Sequence, residues 1–172
     1  VASAAADRLG DIGMYHDDVA QALIDQLDAG RLNADGSVLR SLGRLAKHSP
    51  RAAEALVAHL REIRSDTTER HWSRALDTAV ALGEAGPAGS DAWPDVLEVA
   101  RTAEHDYILD RSIQVLGNLG VHNSEIETFL LEAARNNTDG RAIWAMESLG
   151  RIGLGEESRE WMIGIVDAWA ES

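Results

Sequence analysis

The chain of 172 residues contains no cysteine, which excludes disulfides, thiolate zinc sites and cysteine nucleophiles. Lysine is nearly absent: Lys47 stands alone beside fifteen arginines. Aromatics supply only 5% of the chain. A β-sandwich would want more Val, Tyr, Phe and Thr, so the abundant alanine, leucine and glycine point to closely packed helices. No apolar run reaches transmembrane length, and the N-terminus lacks the basic region and long apolar stretch of a signal peptide. We therefore expect a cytoplasmic protein with no membrane partner. Positive charge is also short, with 16 basic against 29 acidic residues and a net charge of −13. Nucleic-acid binding depends on neutralising phosphates with Lys and Arg, so no nucleic-acid partner is expected.

At 45% apolar residues the chain is globular, and its length suits one domain with a real core. Inside it, one short pattern keeps returning. Leu-Gly pairs fall at 9, 42, 82, 116 and 149, each heading a stretch such as "LGNLG" at 116–120 or "LGRIG" at 149–153. Three positions after each leucine stand Ile12, Leu45, Ala85, Leu119 and Ile152; four after stand Gly13, Ala46, Gly86, Gly120 and Gly153. Fourteen after stand Leu23, Leu56, Val96, Leu130 and Ile163.

These columns translate into helices. A turn and a cap follow each head: Asp17, Ser49 before Pro50, Ser90, and Ser124 with Glu127 three residues on, a capping-box spacing. An apolar stripe at helical spacing comes next, as in Ile126, Phe129, Leu130, Ala133 and Ala134. Arg61, Arg101 and Arg135 sit near the end of this helix, where a cation complements the macrodipole. A second helix then runs into the next Leu-Gly. Each unit is thus an antiparallel helix pair that cannot bury its stripe without a neighbour. The units run roughly 1–41, 42–81, 82–115, 116–148 and 149–172.

The pattern resembles HEAT-like repeats, especially the short kind of phycobilisome bilin lyases. The residues that carry the likeness are "RALDTAVALGEAG" (74–86) and "RAIWAMESLGRIG" (141–153); the arginine is displaced in "YILDRSIQVLGNLG" (107–120). The tetratricopeptide repeat shares the period but expects a tyrosine at Gly13, Gly86, Gly120 and Gly153 and a closing proline. The resemblance implies an all-α, right-handed α-α superhelix of about four to five helical hairpins, with second helices lining the binding face. Starting at Val1 rather than Met, with no obvious polar cap in "VASAAADRLG", the chain is expected to be part of a longer protein. The apolar C-terminal stretch holding Trp161, Met162, Ile163, Ile165, Val166 and Trp169 is either a closing helix or a docking face. Extreme acidity with almost no lysine also resembles proteins of salt-loving archaea, which concerns source and not function.

No catalytic constellation emerges. His16, His48, His59, His71, His105 and His122 show no paired metal-ligand spacing. "DAGRLNADG" (28–36) lacks the alternating ligands and closing glutamate of a calcium loop. The glycines of "GRIGLGEES" lack a preceding strand, and Asn136-Asn137-Thr138 is a glycosylation sequon by pattern alone. We expect no metal, no cofactor and no enzyme. First helices carry most of the acid, whereas second helices carry Arg40, Arg74, Arg111 and Arg141 with fewer acids. A non-catalytic module binding a protein or peptide is therefore expected, with Arg40, Arg74, Tyr107, Arg111, Arg141 and Trp144 as candidate contacts. The alternative for the arginines is that they pair with acids on neighbouring turns and hold the stack together. Alternatives for the chain are a bilin-lyase-like or other small-ligand component, a DNA-handling module, which the charge opposes, and a structural spacer or oligomerisation arm.

Overall fold

In the computed structural model the described residues are 17–30, 36–65, 72–136 and 140–170, with backbone alone for 30 and 166–170. They form α1 (Asp17–Gly30), α2 (Gly36–Ala46), α3 (Pro50–Ser65), α4 (Trp72–Ala85), α5 (Trp93–Arg101), α6 (Asp106–Leu119), α7 (Ser124–Arg135), α8 (Gly140–Ile152) and α9 (Glu156–Ala170). No strand occurs among them. Odd-numbered helices are the first helices of the sequence repeat and even-numbered ones the second. The expectations placed on 1–16, 31–35, 66–71 and 137–139 lie outside the described residues.

The second helices pack in a row, α2 on α4, α4 on α6 and α6 on α8, with first helices against them and one continuous core between. The repeated leucines Leu42, Leu82, Leu116 and Leu149 are fully buried. Each contributes about 2 kcal/mol of apolar transfer. Leu56, Val96 and Leu130, fourteen residues after a head leucine, are buried as fully, whereas Ile163 in the same column is 54% exposed.

The two glycines of each head have different jobs. The first brings helix backbones together. A Cβ on Gly43 would strike the Ala81 carbonyl, one on Gly83 would lie 3.2 Å from a Val115 methyl, and one on Gly117 would lie 2.5 Å from the Ser148 hydroxyl. Gly150, at the end of the row, has nothing within 4 Å. The later glycine turns the chain: Gly86, Gly120 and Gly153 have φ of 64°, 66° and 89°. There a side chain on Cβ would crowd the backbone.

The caps differ from expectation. Asn123, not Ser124, caps α7: its backbone is extended and its side chain accepts the Glu125 N–H at 2.8 Å. Glu127 instead crosses to the next unit and accepts the Gly155 N–H, 2.8 Å away, just ahead of α9. Ser90 caps nothing, because Gly86–Ala92 winds as a 3₁₀ segment that runs into α5. Pro50 does open α3, while the Ser49 hydroxyl has no hydrogen-bond partner among the described residues.

The arginines near first-helix ends reach across units. Arg61 bonds Asp95 at 3.0 Å, Arg101 approaches Glu125 at 3.4 Å and Arg135 bonds Glu157 at 2.9 Å. Asp95 is buried and also paired with Arg64. Arg135 lies 5.8 Å from the ring centre of half-buried Trp161, which ties α9 to α7.

Candidate functional site

The N-terminal ends of α4, α6 and α8 lie along one edge of the row, and two gaps separate them. Between α6 and α8 the gap is bridged by an ionic latch. Arg141 leaves the first turn of α8 and reaches back to α6, its Nε 2.6 Å from Asp110 Oδ1 and an Nη 2.7 Å from Asp106 Oδ1. Its side chain is only 15% exposed. The hydrogen bonds to Asp110 and then Asp106 push its pKa up from the ordinary arginine value. Charge-assisted bonds of this kind are short and strong.

Between α4 and α6 the same positions carry different chemistry. Asp106 and Asp110 precede Leu116 by ten and six residues, and Trp72 and Leu76 precede Leu82 by the same intervals. Arg141 precedes Leu149 by eight residues, and Ile108 precedes Leu116 by eight. Both halves of the ionic latch are therefore replaced by apolar side chains. A hollow of about 470 Å³ opens here, lined by Trp72, Leu76, Asp77, His105, Tyr107 and Ile108 among others. Leu76 and Ile108 are buried, whereas Trp72 and Tyr107 stand 39% and 64% exposed. The Asp77 side chain is open to solvent on one side, yet packing on the other raises its pKa; Arg40 pulls the opposite way.

The expected contact residues are spread over the second helices α2, α4, α6 and α8. Arg40 is exposed on α2 and its charge acts on Asp77. Arg74 is half-buried on α4, and its charge acts on His59. Tyr107 borders the hollow. Arg111 is half-buried, donating from Nη1 to Gln114 Oε1 at 3.1 Å, while its Nε has no partner among the described residues. Arg141 is committed to its two carboxylates, and Trp144 packs half-buried against the core. The sequence pattern alone did not single out Trp72, Leu76, Asp77 or Ile108 as contacts. The available signal was the displaced arginine of "YILDRS", whose place Ile108 occupies.

His59 is buried on α3, and desolvation lowers its pKa more than Glu62 and Asp28 raise it. Among the described residues no group of three or more His, Asp or Glu could hold a metal, and no helix is long and apolar enough to cross a membrane. Two other hollows, one beside Pro50 and Arg61 and one beside Lys47 and Gly86, offer no aromatic wall. The chain matches no family model, no curated protein and no solved structure. The hollow combines two large aromatic side chains, an aliphatic floor, an imidazole, a hydroxyl and one carboxylate.

Proposed function

We propose that this chain is a HEAT-like α-solenoid module that binds a partner protein or peptide, without catalysis, along the edge formed by its second helices. The observation that carries the reading is the placement of exposed apolar side chains. Trp72, Tyr107 and Ile143, three of the four large hydrophobics exposed among the described residues, lie on second helices near their N-terminal ends. Exposed Trp and Tyr beside a concavity are the residue types that anchor interfaces, because a large rigid area is buried at little entropic cost. The close helix contacts at Gly43, Gly83 and Gly117 support a preformed surface, so binding need not order the backbone first.

Selection from a random peptide display library against the whole chain tests the proposal. Enriched peptides should lose binding to the Trp72→Ala, Tyr107→Ala double variant while its melting temperature holds. Undiminished binding to that variant, or no enrichment at all, would sink it. Charge reversal of Arg74 and Arg111 in the same assay measures how much the cationic side chains add.

A further inference from the structure

We propose that the hollow between α4 and α6 receives a cationic side chain with an aliphatic stem, an arginine or lysine of the bound peptide. This rests on the peptide-binding reading above. The sister gap supplies the geometric precedent: there the protein's own Arg141 reaches between consecutive second helices at the same level to meet carboxylates. At the α4/α6 gap the internal arginine is missing, since Ile108 holds its position. The space stays open.

The lining matches such a side chain part by part. Leu76 and Ile108 form an apolar floor against which methylenes lose water contact. Trp72 and Tyr107 offer ring faces whose quadrupole attracts a cation. Asp77 provides the carboxylate for the head group, and crowding on one side already penalises its bare charge. An acidic side chain would meet Asp77 with like charge, and a purely apolar one would leave that carboxylate facing it without a partner. The net charge of −13 draws basic segments toward the chain in general. Arg40 is the cation whose field already acts on Asp77, so it competes with the incoming one.

The whole chain, isotope-labelled, would be titrated with capped pentapeptides of alanine bearing Arg, Lys, norleucine or Glu at the centre, followed by NMR. Norleucine keeps the aliphatic stem and removes the charge. The Arg and Lys peptides should shift the Trp72 indole and Asp77 amide signals at concentrations about tenfold below the norleucine peptide. Asp77→Asn should bring the Arg peptide down to the norleucine level without lowering the melting temperature, and Arg40→Gln should tighten it. Equal binding of norleucine and Arg, stronger binding of Glu, or no shift at Trp72 from any peptide would overturn the proposal. If library peptides still require Trp72 and Tyr107 but carry no basic residue, the cation assignment falls and the binding reading stands.

Discussion

Two gaps built on the same register, α4/α6 and α6/α8, were given opposite chemistry. In one, Arg141 spans the gap to Asp106 and Asp110. In the other, Ile108, Trp72 and Leu76 occupy the equivalent positions and leave a hollow. The backbones approach closely in both, through Gly83 against Val115 and Gly117 against Ser148. The repeat thus fixes how helices meet, while side chains at three positions decide whether the meeting is latched or open. An ionic latch contributes modestly to stability once desolvation is counted. An open apolar hollow is tolerable only if its walls are otherwise packed, as the burial of Leu76 and Ile108 shows.

The largest expected effect lies at the shared backbone contact. Gly117→Ala would force a Cβ to within 2.7 Å of the Ser148 Cα, and overpacking of that kind costs about 2 kcal/mol in urea unfolding. Gly83→Ala should cost less, because only the Val115 side chain must yield. Gly150→Ala, with open space around it, should gain about 0.5 kcal/mol from helix propensity. Similar losses at Gly117 and Gly150 would break the close-packing account.

Next comes the latch. Asp110→Ala removes a 20% exposed partner of a half-buried guanidinium and should cost about 1.5 kcal/mol. Asp106→Ala, at an 86% exposed carboxylate, should cost no more than about 0.5 kcal/mol. A triple exchange, Asp106→Trp, Asp110→Leu and Arg141→Ile, would put the three apolar side chains of the α4/α6 gap into the α6/α8 gap, with Arg111 and Gly140 still in the places of Asp77 and Tyr107. Its stability should stay within about 1 kcal/mol of the parent, since apolar replacement of a whole ion cluster is near neutral. It should not take up the Arg peptide at that gap, because Arg111 stands where Asp77 stands in the α4/α6 gap.

Arg74 occupies the same repeat position as Arg141, and its charge adds to the lowering of the His59 pKa that burial dominates. Burial holds His59 below its ordinary value of 6.5, so the unfolded chain binds the proton more readily. Stability should therefore rise with pH through the window below 6.5 and fall on acidification through it. Thermal melts between about pH 7.5 and about pH 5.5 should show a decline that His59→Gln lessens. The smallest effect is Tyr107→Ala, which at an exposed site should move stability by less than about 0.5 kcal/mol while weakening peptide capture. A large stability loss there would mean the tyrosine is structural and not a binding wall.

The helices and their pairing were legible because each Leu-Gly column is a packing requirement repeated four or five times. Details that depend on one residue's local competition were not. Ser124 and Glu127 have capping-box spacing, but Asn123 is one residue earlier in extended backbone and takes the cap, which frees Glu127 for Gly155. Arg61, Arg101 and Arg135 looked like local complements to a helix end, and their partners lie on the next first helix, 22 to 34 residues away. For the candidate site, the periodicity already put Tyr107 on a second helix, where it lies. It could not show that Arg141 is consumed by Asp106 and Asp110, because that depends on helices meeting in register.

What the sequence determined alone is the repeating helix pair: apolar columns dictate which faces are buried, and glycines at two fixed positions set close contact and chain reversal. What only the tertiary structure decided is which side chains remain available. Availability depends on partners brought near by packing, and Arg141 and Ile108, equivalent in the repeat, differ because their neighbours across the gap differ.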